Sequence, residues 1–370
     1  MGPDFSTIGP VPLVTDVEAR PVVVPMGRPL RTSTGAVTEA PLLLIDLRTD
    51  GGPVGRSYLF GVQPFGLAPL RSLVESLGQA VAGEPLVPLE IERALRARLT
   101  LLGPTGLAGM ALAGIDMAAW DALARERDVP LAALLGGRPG PVPAYNSNGL
   151  GIMPPAEAAA EAVELLDAGF SAVKVRLGRP AAVDDLAAAR AVREAIGPDA
   201  VLMADFNQYL SVAEAVERGA MLDGEGLAWI EEPVRADDLA GCARVAAGLR
   251  TPVQIGENFS GPFQMREALS LGASDLVMPD LQRIGGVTGW LRAAALAHVY
   301  GVEMSSHLFP EFSAQLLRVT PTRHWLEYVD WAAPVLREPL LVRDGQALAP
   351  DRPGAGLEWD EAAVARYLVS

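Results

Sequence analysis

The chain has one cysteine, Cys242, in 370 residues, so it forms no internal disulfide, and nothing in it points to an oxidising compartment. Cys242 lies in the helical stretch Gly241-Cys242-Ala243-Arg244-Val245 and reads as a small buried hydrophobe. Positive charge is also short. There are 30 Lys and Arg against 45 Asp and Glu, a net charge of −15, and no basic cluster. That excludes nucleic acid and an anionic membrane as partners. No clean membrane span is present, because the most apolar helical stretch, Ala108–Ala124, carries Asp116 and Asp121 and belongs in a core. The first ten residues lack the apolar segment of a signal peptide. They match a myristoylation pattern at Gly2 and Ser6, which carries little weight in a chain that otherwise reads as soluble and cytoplasmic. No glycine-rich phosphate turn follows the first strand, which argues against an open doubly wound sheet. Ile284-Gly285-Gly286-Val287 comes late and reads equally well as a tight turn.

What is present is a large apolar fraction, 50%, with 38 Gly and 31 Pro between apolar segments. This fits two domains with many short connections. Residues 17–61 read as antiparallel β, with Val22–Val24 and Leu42–Leu47 as apolar runs. The Asp50-Gly51-Gly52 turn leads into Val54–Phe60. Gly27–Thr38 reads as a polar loop carrying Arg28 and Arg31. Helical periodicity follows near 66–81, 87–101 and 106–127, and Gly136–Pro141 is a boundary. From Val142 short strands alternate with helices: Val142–Tyr145, Ala172–Arg176, Val201–Asp205, Leu227–Ile230, Val253–Ile255, Asp275–Met278, Val302–Ser305 and Trp325–Tyr328. That is an α/β pattern, a parallel sheet with helices outside, and eight strands favour closure into a barrel. The division is therefore 1–140, 141–335 and a packed tail, 336–370.

A polar series marks the ends of these strands: Lys174, Asp205, Glu231, Glu257, Asp280, His307 and Glu327, spaced by 31, 26, 26, 23, 27 and 20 residues. One strand, one helix and two loops take about that much chain. In a closed barrel such residues converge on one mouth. Asp205, Glu231 and Glu257 offer three carboxylate oxygens on consecutive strands, a donor set for Mg²⁺, whereas zinc would want neighbouring Cys or His. Asn207 and Glu232 follow the ligand candidates closely and would support them. Asp280 beside His307 would fix the imidazole tautomer and leave the other nitrogen as a base. His298 falls in a helix and His324 precedes a strand, so both read as structural. Lys174 and Arg176 alternate onto the barrel interior, which is costly without an anion to meet them. Glu327, crowded by other acids, is expected to be raised in pKa and to donate a hydrogen bond as a neutral acid. Metal and cations beside a placed base suit removal of a proton from carbon next to a carboxylate.

At these residues the chain resembles the enolase superfamily, and within it the mandelate racemase subgroup. The stretches that carry the resemblance are GIDMAAWDAL, WIEEP, PVQIGEN, IGGVTGW, MSSHLF and HWLE. The resemblance spans about Val17 to Leu368. It implies a modified (β/α)₇β TIM barrel, an N-terminal α+β capping domain and a C-terminal segment that returns to the cap. It also implies Mg²⁺ on Asp205, Glu231 and Glu257, an Asp280–His307 acid/base dyad, and Glu327 donating to the substrate carboxylate. Lys174 and Ser147 would contact that carboxylate, Asn207 would approach the substrate hydroxyl, and the Gly27–Thr38 loop would close over the site. A homo-oligomer is implied as well.

One position departs from the pattern. The family's strand carries Lys-x-Lys, with the second lysine as the other base, and here that position is Arg176. A guanidinium is rarely free to accept a proton near neutral pH. One-base chemistry survives: His307 removes the α-proton of a 2-hydroxycarboxylate and a β-hydroxyl departs, which is acid-sugar dehydration, a lyase reaction. Arg28 and Arg31 in the loop suit an acid sugar or dicarboxylate as substrate. The alternatives are an isomerase, racemising or epimerising a 2-hydroxy acid, and a carboxylate-binding relative without turnover.

Overall fold

The computed structural model describes residues 11–33 and 35–369. The myristoylation pattern at Gly2 and Ser6 lies outside them. The N-terminal part opens with β1 (Val14–Thr32), β2 (Gly35–Thr49) and β3 (Gly55–Phe60), an antiparallel sheet in that order. Helices α1 (Leu67–Val81), α2 (Pro88–Arg98), α3 (Gly106–Glu126) and the short α4 (Leu131–Leu134) follow. Gly27–Thr38 is not a polar loop. It is the distal half of a long hairpin, paired Leu30 to Val37, Arg31 to Ala36 and Thr32 to Gly35, with a register shift between Pro25 and Leu30. The sequence hides this because its hydrophobic alternation breaks at that irregularity.

The second part is a barrel. Its strands are β4 (Pro141–Asn146), β5 (Ala172–Arg176), β6 (Val201–Asp205), β7 (Leu227–Glu231), β8 (Val253–Ile255), β9 (Leu276–Val277) and β10 (Leu326–Tyr328). β4 to β9 pair in parallel in sequence order, and β10 returns to pair with β4. Between β9 and β10 the expected strand Val302–Ser305 is reduced to a single residue: Met304 bridges Val277 on one side and Arg323 on the other. The circle closes with seven βα units and a last strand without its own helix. The helices are α5 (Pro155–Asp167), α6 (Ala182–Ile196), α7 (Val212–Leu222), α8 (Leu239–Gly248), α9 (Pro262–Ser270), α10 (Leu281–Ile284), α11 (Gly286–Tyr300) and α12 (Pro310–Leu317). Local signals place them. Ser211 and Glu214 form a reciprocal capping box on α7, and Gly197, at φ 74°, stops α6. Cys242 is fully buried in α8. The tail makes the small hairpin β11 (Val342–Arg343) and β12 (Gln346–Leu348), which pairs with β4. It then returns as α13 (Glu361–Tyr367) to the cap, where Glu361 meets Arg20 at 2.6 Å.

Helix α3 joins the two parts. It is long and apolar enough to cross a membrane, yet 78% of an apolar stretch of 18 residues within it is buried in the molecule. Gly106–Glu126 packs under β3 on one side and against α10 and α11 on the other. Each large apolar side chain it buries, such as Leu112, Ile115 and Met117, contributes about 1.5–3 kcal/mol. Two carboxylates, Asp116 and Asp121, are buried on this helix as well, and Asp116 faces α11. It is fully buried and accepts from the Thr288 N–H at 2.9 Å and the Thr288 hydroxyl at 2.5 Å, at the first turn of α11. Gly286, at φ 70°, is required there, because a Cβ would lie 2.4 Å from Asp116 Oδ2.

Burial pushes the Asp116 carboxyl up to about 7, against the pull of those hydrogen bonds. A raised acid keeps its proton in the folded state after the unfolded chain has lost it. Its contribution to stability is complete below about pH 4 and is lost as pH rises through about 7. Asp116→Asn stays neutral throughout. Between pH 5 and pH 8 the variant should gain roughly 2–3 kcal/mol of unfolding free energy relative to the parent. Urea unfolding at the two pH values measures it, and a pH-independent difference would refute the buried proton.

Candidate active site

The strand ends bring most of the polar series into one cavity of about 140 Å³, lined by Lys174, Arg176, Asp205, Asn207, Glu257, Asp280, His307 and Glu327 among others. Lys174 is inside β5 rather than at its end. It is 1% exposed, with Asp205 Oδ2 at 3.2 Å, Glu327 Oε1 at 2.9 Å and a short contact to Glu231 Oε1. Burial alone would lower its pKa. Glu231, Glu327 and Asp205 outweigh burial and hold the ammonium charged, well above its ordinary value. Glu231 sits below the cavity, where the Trp229 indole N–H donates to its Oε2 at 3.0 Å. Tyr145 lies beneath, its ring 5.7 Å from the ammonium. Trp229 was legible in principle, since it stands two residues before Glu231 on the same strand face.

Asp205 is held from its own loop. Asn207 donates from its backbone at 2.7 Å and from Nδ2 at 3.0 Å, and the left-handed backbone of Asn207 (φ 47°) makes this reach possible. Asn207 Oδ1 is buried without a hydrogen-bond partner. Glu257 follows Gly256, whose φ of 142° and a Cβ only 2.8 Å from Met278 N admit glycine alone. Glu232 accepts twice from Asn258 Nδ2, and Arg283 in turn donates to Asn258 Oδ1 at 2.6 Å.

The dyad is formed. Asp280 Oδ2 lies 2.8 Å from His307 Nδ1, and Asp280 Oδ1 accepts from the Arg283 N–H. His307 Nε2 faces Glu257 Oε2 at 3.4 Å and Glu327 Oε2 at 3.8 Å. Burial lowers the imidazole's affinity for a proton, but Glu257, Glu327 and Asp280 raise it to about 10; a divalent ion held by Glu257 would offset that pull and free the imidazole to accept a proton. After His307 the chain makes two left-handed residues, Leu308 (φ 50°) and Phe309 (φ 48°), an uncommon backbone that sequence does not announce. It aims the Leu308 N–H at Glu327 Oε2, 3.0 Å away.

Both sides of the dyad are also pinned by the cap strand β3. Gln282, two residues after Asp280, accepts from the Phe60 N–H at 3.0 Å and donates back to the Phe60 carbonyl at 3.3 Å. Glu311, four residues after His307, accepts from the Tyr58 hydroxyl at 2.8 Å. Neither clamp has a sequence signature.

Three expectations require correction. Glu327 is not a raised, neutral acid. Burial opposes its ionisation, but Lys174, His307 and the Leu308 N–H prevail and hold it well below the ordinary carboxylate range. It is an acceptor, taking the Ser147 hydroxyl at 2.7 Å as well, so Ser147 is spent on Glu327 and Arg176. Arg28 points away from the cavity, to Glu161 at 2.7 Å and Glu164 at 2.8 Å on α5. Arg31 is exposed, and its carbonyl accepts from the Ile152 N–H at 2.9 Å. Pairing of the hairpin turns Leu30, between them, to the cavity instead.

Arg176 lines the cavity and is 3% exposed. Its Nη1 donates to the Gly149 carbonyl at 2.7 Å, and Nη2 reaches the Ser147 carbonyl at 3.2 Å and hydroxyl at 3.3 Å. Its Nε is buried without a partner. A guanidinium whose nitrogens donate to fixed carbonyls has no lone pair to offer.

Among the described residues no group of three or more His, Cys, Asp or Glu side chains stands ready to hold a metal ion. Lys174 lies between Asp205 and Glu231, and Glu257 turns to His307. The donor chemistry nevertheless fits a hard divalent cation. Asp205, Glu231, Glu232, Glu257, Asp280 and Glu327 crowd together against Lys174, Arg176 and His307. Burial first, then neighbouring acids, pushes Glu231 up to about 8 and raises Glu257 and Glu232. Glu231, Glu232 and Glu257 thus resist ionising for want of positive charge, which a divalent ion would supply.

A (β/α)₇β barrel under an α+β cap, with an acid-rich mouth and a His–Asp dyad, defines an enolase-type enzyme. Residues 14–136 match the mandelate racemase / muconate lactonizing enzyme N-terminal domain, and residues 157–363 match the enolase C-terminal domain-like family. The chain belongs to the enolase superfamily, in its mandelate racemase / muconate lactonizing enzyme branch. It is 32% identical over 358 residues to L-talarate/galactarate dehydratase of Salmonella typhimurium, covering 95% of this chain and 87% of the relative. Other relatives are a D-galactarolactone cycloisomerase and L-Ala-D/L-Glu epimerases. Among solved structures, an enolase from alpha pretobacterium bal199 with bound Mg is 48% identical, with a TM-score of 0.95 over 97% of this chain and 100% of that one. An enolase from Bradyrhizobium complexed with magnesium and mandelic acid is 45% identical, with a TM-score of 0.95 over 98% of this chain and 100% of that one.

Proposed function

We propose that this protein removes the α-proton of a 2-hydroxycarboxylate in a Mg²⁺-dependent reaction, with His307 as the base on one face only, and completes the reaction by eliminating water from the β-carbon. The observation that carries this is the pairing of His307 with Asp280 at 2.8 Å in a cavity lined by Arg176 where the family's strand carries its second lysine. Asp280 fixes the imidazole so that Nε2 faces the substrate. Asp205, Glu231 and Glu257 would hold Mg²⁺, which supplies electrophilic stabilisation to the carboxylate as charge develops. Lys174 adds a buried positive charge on the same side. Glu327 anchors Lys174, Ser147 and Leu308, so its part is to hold the pocket's shape. Arg176 stabilises negative charge without exchanging protons.

Relatives and neighbours carry both acid sugars and mandelate in their names, and both are 2-hydroxycarboxylates. The reaction is tested by incubating such acids with enzyme and Mg²⁺ in D₂O. A 2-oxo acid product with one stereochemistry at the α-carbon consumed supports it. Formation of the enantiomer would replace it with racemisation, and binding without exchange would make the chain a non-catalytic relative. Arg176→Lys tests the one-face assignment. It should add deuterium exchange to the second enantiomer, read by NMR, and exchange confined to the first enantiomer would show that Arg176 does not limit it.

We infer as well that the protein is a cytoplasmic homo-oligomer. Self-association is supported by an apolar groove of about 960 Å³ between α2, α9 and α11, with Phe263 and Val299 exposed along it.

A further inference from the structure

Above the reacting groups the cavity wall changes character. Leu30 from the hairpin, Phe60 at the end of β3, Val62 just beyond it, Leu308, Val329 and Trp331 form an apolar collar. Phe60 and Trp331 pack ring to ring at 5.1 Å. The polar side chains at this end are already engaged. Gln282 clamps the Phe60 backbone, Arg283 donates to Asn258, and Arg28 is drawn off to Glu161 and Glu164. A polyhydroxy tail or a second carboxylate would lose its water here and find few partners, which is costly, whereas an apolar group gains. Val62 adds an independent sign. It sits at φ 61°, at the centre of a three-residue turn closed by the Gln63 N–H on the Gly61 carbonyl at 2.6 Å, a strained backbone for a β-branched residue and less so for Gly or Asn. Strain of this kind persists where a side chain is needed at a site.

We propose that the substrate carries an apolar, aryl-sized group on its β-carbon, that is, a 3-aryl-2,3-dihydroxypropanoate rather than a polyhydroxy acid sugar. This rests on the one-base elimination proposed above. With one base an aryl acid lacking a β-hydroxyl only exchanges its α-proton, so the leaving group must sit between the carboxylate end and the aryl end. His307 takes the Cα proton and the C–H pair enters the enediolate. Its collapse forms the Cα–Cβ double bond and breaks the Cβ–O bond. The departing hydroxide takes the proton from the His307 imidazolium and leaves as water. The enol then tautomerises to a 3-aryl-2-oxopropanoate, with no oxidant or reductant needed.

The experiment uses the full chain with Mg²⁺ in D₂O. The panel holds the stereoisomers of 2,3-dihydroxy-3-phenylpropanoate, both mandelate enantiomers, galactarate, glucarate and gluconate. One phenyl stereoisomer should give phenylpyruvate, with kcat/KM about 100-fold above every acid sugar, and one mandelate enantiomer should exchange its α-proton without net change. Val62→Asn relieves the backbone while placing an amide in the collar. Its Tm should not fall, and the ratio of phenyl to acid-sugar kcat/KM should drop at least about tenfold. Turnover of an acid sugar at equal or higher kcat/KM, or an unchanged ratio in Val62→Asn, would overturn the aryl assignment while leaving the enolisation intact. Exchange with no acid in the panel would bring down both.

Discussion

His307→Asn should slow α-proton exchange by about 10²–10⁴-fold while leaving the fold in place. The asparagine keeps a hydrogen-bond donor for Asp280 Oδ2, so the buried aspartate is not left alone, but no nitrogen remains that can take a proton from carbon. Because Arg176 is fixed on the Ser147 and Gly149 carbonyls, no second base waits on the other face. Exchange followed by ¹H NMR in D₂O should therefore vanish for the enantiomer the parent accepts, with Tm within a few degrees of the parent. Exchange retained at more than about a tenth of the parent rate would show that another group is the base.

Removing divalent ions should be at least as damaging. The mouth concentrates Asp205, Glu231, Glu232, Glu257, Asp280 and Glu327, while Lys174 and Arg176 are its permanent cations. Deprotonating a carbon beside a carboxylate adds another negative charge to this set. Excess EDTA should lower turnover by about 10³-fold or more, and Mg²⁺ in excess of the chelator should restore it. A second readout does not depend on activity. Saturating Mg²⁺ at about 100 Kd should stabilise the folded chain by about 2.7 kcal/mol, visible as a rise in Tm. Asp205→Asn should shrink that rise. Full activity in EDTA, with a Tm indifferent to Mg²⁺, would remove the metal from the mechanism.

The barrel was legible because its strands are short, apolar and regularly spaced, and each β/α unit repeats the same pattern. Lys174, Asp205, Glu257, Asp280, His307 and Glu327 do meet, since each lies in or just after a barrel strand, a position that sequence can place. What sequence could not place was anything set by non-local pairing. The Gly27–Thr38 segment looked like a loop because its partner strand and its irregular register are invisible in composition. That error carried Arg28 and Arg31 into the site and left Leu30 out. Glu327 was misjudged for a related reason: counting acids raises a carboxyl, but the outcome turns on Lys174 at 2.9 Å, His307 at 3.8 Å and the Leu308 N–H at 3.0 Å. Val62 and the Leu308–Phe309 pair owe their roles to backbone angles that no residue type signals.

Strand β3 has two duties that cannot be separated. Phe60 lines the cavity, while the same residue's backbone N–H and carbonyl hold Gln282, two positions from Asp280. Tyr58, on the same strand, grips the segment that follows His307. A chimera that borrows the cap of a relative to acquire its selectivity would thereby reset the proton-transfer pair. Selectivity and chemistry in this scaffold must change together, which makes Gln282 and Glu311 the residues to carry across with any transplanted cap.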